Sequence, residues 1–330
     1  MPLLVVMAHY DVDRRLRAHT LRAIRNYTQA AERVVIVSTS GALDDDLASL
    51  PAHAEFHTRP NFGYDFFSYK WGLDLAGDYA AYDRIVIAND SFVGPFVPLR
   101  VITESVRAEE CDLLGITWSA RFGGHAQSFF LTVNRAVARS NGFQRFWRDM
   151  VPLSDRTTVI REYEAGLTQA VRGSGFRAGA YFQPTDAEDA LARARFEHQL
   201  TVRLKAGQGA TTVAETTRRR REILREYNPV AALADRALLD DRLPLLKFDT
   251  LRFDPYGLGA DLLLAAAEQR HPEQMDGVRE YLRHTRARYP HRTGELNLLP
   301  DRRYLQRTGL GYTADAAFPA HDSERDLANR

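Results

Sequence analysis

The segment Asp83-Arg84-Ile85-Val86-Ile87-Ala88-Asn89-Asp90-Ser91 decides the fold of this chain. Its apolar middle has the length and β-branched composition of a buried strand, and it stops on polar residues. Asp90 is therefore predicted to stand at the carboxyl end of a strand in a parallel sheet. Because open α/β sheets bind their ligands at that edge, Asp90 is the first candidate site residue.

The residues before this strand predict the rest of a parallel sheet. Residues 3–8 form an apolar run of strand length, apolar residues recur at helical spacing within 16–27, and residues 34–37 form a second β-branched run. Strand, helix and strand in this order make a crossover unit, which implies parallel strands. A second helix is predicted over residues 67–75, before the strand that ends at Asp90. The predicted fold class is therefore α/β.

The composition indicates a protein with balanced charge. Lys and Arg number 44 against 43 for Asp and Glu, so the bulk positive charge of a typical nucleic-acid binder is excluded. The single cysteine, Cys111, cannot form an internal disulfide, which suits a reducing compartment. No apolar stretch reaches the length of a membrane span, and the first residues lack a signal-peptide pattern. We expect a cytoplasmic protein, with at most peripheral contact at the cytoplasmic face of the inner membrane.

Several short segments, taken in chain order, resemble those of one protein family. They are His9-Tyr10, Asn61-Phe62-Gly63, Asn89-Asp90-Ser91, Cys111–Thr117, Gln127-Ser128, Phe143–Trp147, Tyr163-Glu164-Ala165-Gly166-Leu167-Thr168 and Pro244-Leu245-Leu246-Lys247. In this order they resemble the rhamnan synthesis protein F family of bacterial polysaccharide enzymes. The resemblance implies a GT-A-like glycosyltransferase fold, with a mostly parallel sheet flanked by helices and a helical C-terminal region. It also implies an inverting transfer of rhamnose from dTDP-rhamnose to a bacterial surface polysaccharide or its lipid-linked precursor.

The resemblance also sets the expected domain limits. Residues 1–258 are predicted to form the glycosyltransferase domain, with a nucleotide-sugar-binding half over 1–110 and an acceptor and catalytic half over 111–258. Residues 259–330 are expected to form a helical C-terminal extension and an irregular tail.

Asp90 is predicted to act on the diphosphate of the donor. Sugar transfer requires neutralising the departing diphosphate, and a divalent cation such as Mg²⁺ or Mn²⁺ bound to Asp90 would do so. Because Asn89 and Ser91 flank it, only one carboxylate is assured, and the cation would also need amide, hydroxyl and water oxygens. The alternative is that Asn89-Asp90-Ser91 only forms a hydrogen-bonded turn that caps the strand.

Glu164 is the candidate catalytic base. If residues 159–172 are helical, a rotation of about 100° per residue puts Glu164 on the apolar face while Glu162 points away. A carboxylate on an apolar face is either paired or catalytic, and desolvation can raise its pKa toward neutrality. Its place matches the family's Tyr-Glu-x-Gly-Leu-Thr motif. The alternative is a structural ion pair with Arg161 or Arg156.

The segment around Asn61 is predicted to meet the nucleotide. Gly63 permits a close backbone approach, and Tyr64 offers a flat face to a pyrimidine ring. Asp65 can accept hydrogen bonds from an imide or ribose, and Arg59 can pair with phosphate. The alternative is that the aromatic residues here belong to the core and that Asp65 only caps the following helix.

Five further residues complete the predicted site. His9 and Tyr10 end the first predicted strand and are expected near the nucleotide base, although a lone histidine is more often structural. By resemblance, Gln127 and Ser128 match the family's Gln-Ser pair and can hydrogen-bond sugar hydroxyls. Lys247 can bring positive charge to the leaving diphosphate, also by resemblance. The residues after Lys247 depart from the family's pattern, and a lysine after an apolar run usually reaches solvent.

Other functions remain open from the sequence. A non-catalytic glycan-binding or assembly protein can keep this fold after losing activity, although retention of Asp90 and Glu164 argues against it. A nucleotidyltransferase would need a glycine-rich phosphate loop after the first strand, and His9-Tyr10-Asp11-Val12-Asp13 is not one. A transferase that uses another nucleotide sugar is also open.

Overall fold

A computed structural model of the chain describes residues 2–205 and 227–288. These residues divide into two compact units, the first made of 2–183 and 276–288, the second of 184–205 and 227–275. The predicted domain limit at residue 258 stays a prediction. The predicted irregular tail, from residue 290 onward, lies outside the described residues.

Seven strands form one mixed sheet in the first unit. They are β1 (Leu3–His9), β2 (Arg33–Ser38), β3 (Ala54–Thr58), β4 (Arg84–Asn89), β5 (Leu113–Gly115), β6 (Phe130–Asn134) and β7 (Ala178–Ala180). Their spatial order is β7-β5-β6-β4-β1-β2-β3. All neighbours pair in parallel except β6, which runs antiparallel to both β4 and β5. The predicted α/β fold with a mostly parallel sheet is confirmed.

The sheet brings the carboxyl ends of six strands to one edge, because only β6 runs in the opposite direction. All seven residues of β1 are buried, as expected for a central strand covered on both faces. Ala8 of β1 lies opposite Asn89 of β4, so the two strands end together. The backbone N–H of Asn89 donates to the carbonyl of Phe129, 3.0 Å away, just before β6 begins. Because β6 runs in reverse, the residues that precede it reach this same edge.

Helices flank the sheet. Those of the first unit are Ala18–Thr28, Asp44–Leu47, Tyr64–Ala76, Leu99–Thr103, Val106–Glu110, Arg135–Arg139, Asn141–Arg148, Arg156–Val159, Gly166–Gly173 and Val278–Thr285. A π-helical turn, Ile160–Ala165, replaces the regular α-helix that the sequence predicts at this point. Within residues 2–205 and 227–288, no helix combines the length and the apolar character needed to cross a bilayer.

The Tyr64–Ala76 helix packs closely on the sheet. Phe66, Tyr69 and Leu73 recur at helical spacing and are buried. Gly72 lies where the helix approaches β1, because a Cβ atom there would come within 2.4 Å of the Val6 side chain. A larger residue would therefore push the helix off the sheet.

The second unit is helical, which confirms the predicted helical C-terminal region. It contains a two-residue strand, Leu246–Lys247, and the helices Asp186–Lys205, Pro229–Ala232, Arg236–Leu239, Phe248–Phe253, Ala260–Arg270 and Pro272–Met275. At its centre Arg195 and Asp235 form an ion pair whose side chains are both fully buried. Two guanidinium nitrogens donate to the two carboxylate oxygens, at 2.9 and 2.8 Å. Such a bidentate pair compensates part of the cost of burying both charges.

Candidate active site

The ends of β1 and β4 meet at the carboxyl edge of the sheet, as the sequence predicts. The backbone N–H of Tyr10 donates to Asp90 Oδ2, 2.7 Å away. His9 Nε2 lies 4.0 Å from the same oxygen. The His9 ring is buried and hydrogen-bonded to the Ser38 hydroxyl at 2.9 Å, so it also ties β1 to β2. The Tyr10 side chain is 43% exposed beside this point, which leaves its ring available to a ligand.

Asp90 is a carboxyl group in an environment that disfavours its charge. Its side chain is only 19% exposed. Burial raises the pKa of Asp90 to about 7, the Tyr10 N–H opposes the rise, and the carboxylates of Asp65 and Asp11 add to it. A positive charge delivered to this carboxylate would relieve the electrostatic cost. The site is therefore suited to a proton or a cation.

Asn89 and Ser91 bind each other and the neighbouring loop. The amide nitrogen of Asn89 donates to Asp65 Oδ2, 2.7 Å away. The amide oxygen of Asn89 accepts from the backbone N–H of Ser91 at 3.1 Å and from its hydroxyl. Asn89 and Ser91 thus form the hydrogen-bonded turn that the sequence offers as an alternative to a binding role. Their side-chain oxygens are already engaged, which leaves Asp90 as the oxygen ligand that the turn presents.

A cation at this edge would depend on the substrate for most of its ligands. Among the residues that the structure describes, no group of three or more His, Cys, Asp or Glu side chains is placed to hold a metal ion. Mg²⁺ commonly binds through one or two carboxylates and completes its coordination with water and substrate phosphates. A single carboxylate at Asp90 fits a site of that kind, and does not fit one made of protein ligands alone.

Arg59 is buried and shapes the loop that follows it. Its Nε donates to the Ser68 hydroxyl at 3.0 Å, and Nη1 donates to the carbonyls of Pro60 and Phe62 at 2.9 and 2.7 Å. Its Nη2 donates to the Tyr64 carbonyl at 2.9 Å. Burial lowers the pKa of Arg59 below the usual range. Most of its N–H donors therefore serve the protein, and its pairing with phosphate stays a prediction that this geometry does not favour.

The loop between Arg59 and the next helix holds two consecutive residues in the left-handed region. Gly63 has a φ of +68°, and a Cβ atom there would lie 2.8 Å from Phe67 Cβ, so only glycine fits. Tyr64 has a φ of +54°, which is uncommon for an aromatic residue. Its side chain is 44% exposed, and its hydroxyl donates to the Ser154 carbonyl at 3.1 Å. Backbone strain at an exposed aromatic ring is typical of a binding site, and Asn61 is exposed on the same loop.

Glu164 lies in the π-helical turn and is bound by two residues of a distant segment. Its Oε1 is 2.8 Å from His125 Nε2. Its Oε2 accepts from the Ser128 backbone N–H at 3.2 Å and from the Ser128 hydroxyl. The Glu164 side chain is 16% exposed, whereas Glu162 faces solvent, so the predicted inward orientation is confirmed. π-turns occur frequently at functional sites.

The partner of Glu164 is a histidine rather than an arginine. Arg161, considered as a partner from the sequence, instead pairs with Glu162 at 2.8 Å. Burial acts to raise the pKa of Glu164, but the hydrogen bonds from His125 and Ser128 outweigh it and hold the pKa below its usual range. The expected rise of the Glu164 pKa toward neutrality is therefore wrong, because His125 and Ser128 stabilise the anion. Both donors are distant from Glu164 in the sequence, so helical periodicity does not reveal them.

The Tyr-Glu-x-Gly-Leu-Thr motif holds the predicted Gln-Ser pair in place. Thr168, one turn after Glu164, accepts from the backbone N–H of Ala126 at 3.2 Å. The Gln127 side chain accepts from the Thr117 hydroxyl at 2.6 Å. The motif's glutamate and threonine thus fix the segment from His125 to Ser128 at the edge of the sheet. The sequence interpretation does not include His125 in the site. Its place between two glycines and the Gln-Ser pair is the one feature of the sequence that indicates a role for it.

Tyr69 is completely buried, and its hydroxyl donates to the Ser128 carbonyl at 3.1 Å. Burial raises the pKa of Tyr69 well above its usual range, and the negative charges of Asp65, Glu164 and Asp90 act in the same direction. The hydroxyl therefore stays protonated at neutral pH and can donate this hydrogen bond.

Lys247 belongs to the second unit. It is half-buried at the end of the Leu246–Lys247 strand, directly before the Phe248–Phe253 helix. Its predicted role at the diphosphate stays a prediction.

The fold and the site define an α/β protein with a cluster of carboxylates at the carboxyl edge of its sheet, where proteins of this class bind ligands. The chain belongs to the rhamnan synthesis protein F family, whose profile matches residues 34–206. The predicted family is confirmed. The family takes its name from rhamnan synthesis.

Two named relatives are similar over part of the chain. The virulence protein VirA of Vibrio anguillarum is 31% identical over 150 residues, which cover 44% of this chain and 47% of VirA. The uncharacterized protein y4gN of Sinorhizobium fredii is 27% identical over 159 residues, which cover 46% of this chain and 42% of y4gN. The matched region spans less than half the length of each relative.

Proposed function

We propose that this protein is an inverting glycosyltransferase that moves rhamnose from dTDP-rhamnose to a hydroxyl group of a bacterial surface polysaccharide or its lipid-linked precursor. One observation carries the proposal. At the ligand-binding edge of the sheet, hydrogen bonds link Asp65 to Asn89, the residue before Asp90, and Glu164 to Ser128, in a member of a family described by rhamnan synthesis. Such donors are made inside the cell, so the proposed location is the cytoplasm or the cytoplasmic face of the inner membrane.

In this proposal Asp90 serves the leaving diphosphate. Its buried carboxylate gains most from a nearby positive charge, because its folded environment disfavours the bare anion. A Mg²⁺ or Mn²⁺ ion held there would neutralise charge that develops on the diphosphate. Tyr10 and Tyr64, both exposed aromatic residues at this edge, would contact the base.

Glu164 serves as the base. The acceptor hydroxyl oxygen forms a bond to the anomeric carbon, the bond to the diphosphate breaks with its electron pair, and the hydroxyl proton passes to Glu164. Its lowered pKa keeps Glu164 ionised at neutral pH, which is the state that a base needs before the reaction. The Ser128 hydroxyl donates to the Glu164 carboxylate. Together with Gln127, Ser128 would hydrogen-bond the sugars.

The experiment measures donor binding and sugar transfer separately. We expect dTDP to raise the melting temperature more than ADP, and dTDP-rhamnose to be consumed in the presence of Mg²⁺ or Mn²⁺. Glu164→Gln should lower turnover by about 10²- to 10⁴-fold with nearly unchanged stabilisation by dTDP, because the amide keeps the shape and loses the base.

Glu162→Gln is the matched control, because Glu162 lies two residues away on the exposed face. A folded Glu164→Gln protein with normal turnover would end the assignment of the base. Binding of glycan without consumption of any nucleotide sugar would favour the non-catalytic alternative.

A further inference from the structure

Both ring nitrogens of His125 face oxygen atoms. Nδ1 lies 3.0 Å from the carbonyl oxygen of Arg121, and Nε2 lies 2.8 Å from Glu164 Oε1. A carbonyl oxygen only accepts hydrogen bonds, so the Nδ1 atom must carry a hydrogen. An ionised carboxylate also only accepts, so with Glu164 ionised the Nε2 atom must carry one as well. The geometry therefore requires a proton between Nε2 and Oε1.

The pair is shielded from water. The His125 side chain is 1% exposed, and the ring of Phe122 stacks near it with the centroids 6.4 Å apart. The Ser128 N–H and hydroxyl also donate to Glu164. The negative charge of Glu164 acts on the pKa of the buried Tyr69, as do the charges of Asp65 and Asp90. A His125 ring with a proton on each nitrogen supplies the positive charge that balances the Glu164 carboxylate.

Two neutral hydrogen bonds also hold the backbone beside His125, from the Ala126 N–H to Thr168 and from the Tyr69 hydroxyl to the Ser128 carbonyl. A histidine that donates at both nitrogens adds a positive charge, which these neutral contacts do not supply. Its Nε2 fixes Oε1 of Glu164, and its charge favours the ionised form of that carboxylate.

We propose that His125 is a positioning residue for Glu164. It anchors Oε1 while Ser128 anchors Oε2, and its positive charge favours the carboxylate anion until the hydroxyl proton arrives. The role in transfer rests on the proposed function, whereas the coupling of the two side chains can be measured without any substrate.

The test removes the positive charge of His125 and keeps a hydrogen-bond donor to Glu164. In His125→Gln the amide nitrogen can still donate to Glu164, but the positive charge is lost. We expect the titration midpoint of Glu164, followed by ¹³C NMR of its carboxyl carbon, to rise by about one pH unit or more, since a nearby opposite charge shifts a carboxyl pKa by about that amount. The acidic limb of the kcat/KM profile should move in the same direction.

A second histidine–glutamate pair supplies the control. His57 Nε2 lies 3.4 Å from Glu55 Oε2, with both side chains partly exposed. His57→Gln should leave the Glu164 midpoint and the profile unchanged. An unchanged midpoint in folded His125→Gln would overturn the proposal.

If His125→Gln does not fold, ¹⁵N NMR of the wild-type histidines decides the question. An unprotonated His125 ring nitrogen at a pH where Glu164 is ionised would overturn the proposal, and protons on both nitrogens would support it. A shifted midpoint in a protein that transfers no sugar would support the coupling while rejecting the proposed function.

Discussion

Asp90 is a residue at which burial and function oppose each other. The folded protein holds this carboxyl where its charge is poorly solvated and two other carboxylates lie near. Water would solvate the same group well in the unfolded chain. Asp90 therefore costs the empty protein stability at neutral pH, a cost that a bound cation or donor would offset. Binding residues often carry such a cost.

The first prediction follows from the sign of this shift. The pKa of Asp90 is about 7 in the folded state against 3.8 for an unperturbed aspartate, so the unfolded chain releases the proton first as pH rises. The carboxyl therefore lowers stability progressively between about pH 4 and pH 7, and by a constant amount above that range. Without donor or divalent cations, Asp90→Asn should raise the melting temperature at pH 8 and leave it nearly unchanged at pH 4.

Melting curves of both proteins in the presence of a chelator check this. Asp149→Asn, at a largely exposed carboxylate, is the control and should show little change at either pH. An equal gain for Asp90→Asn at both pH values would contradict the assigned shift.

At the scale of an element, the hydrogen bonds of Arg59 hold the loop that follows it in shape. Its guanidinium donates to the carbonyls of Pro60, Phe62 and Tyr64 and so fixes their relative positions. Those three residues bring Tyr64 to the position where it meets the nucleotide in the proposed function. The loop therefore owes its shape to a geometry that only a forked, planar side chain provides.

Arg59→Lys distinguishes this structural role from the phosphate pairing predicted from the sequence. Lysine keeps the charge but cannot reach three carbonyls and a hydroxyl at once, so we expect a loss of about 2 kcal/mol or more in the free energy of unfolding, together with weaker stabilisation by dTDP. Urea denaturation with and without dTDP measures both. The surface variant Arg145→Lys is the control. Unchanged stability in Arg59→Lys would show that the hydrogen bonds of Arg59 to the loop are unimportant.

At the scale of the whole molecule, both units have an apolar core, and the second also contains the fully buried ion pair of Arg195 and Asp235. Arg195→Met should cost about 3–5 kcal/mol of unfolding free energy, because it leaves the buried Asp235 without its bidentate partner and with only Arg236 Nη2 nearby, 4.0 Å away. Adding Asp235→Leu should recover most of that loss, since removing both charges also removes the desolvation penalty. Chemical denaturation of the single and double variants tests this, and a double variant as unstable as Arg195→Met would contradict it.

The sequence predicts three of the seven strands of the sheet and part of the site. β1, β2 and β4 follow from apolar runs, and Asp90 and the inward side of Glu164 follow from strand length and helical period. The π-turn does not follow, because its i to i+5 bonds have no distinct residue pattern. His125 lies 39 residues before Glu164, so their pairing depends on tertiary contacts that a local pattern does not encode. The lowered pKa of Glu164 is unpredictable for the same reason.

The reversed direction of β6 has a consequence for how the family can diversify. Within the connection that enters β6, Trp118 and Ser119 pair with Ala126 and His125 in a short antiparallel hairpin. An insertion at the turn of this hairpin can therefore change the surface beside Glu164 while the register of β4 stays fixed. An insertion inside β4 would instead turn Asp90 to the opposite face. In the proposed function, acceptor preference can thus change at this turn, while the residues that serve the donor are constrained by the pleat of the sheet.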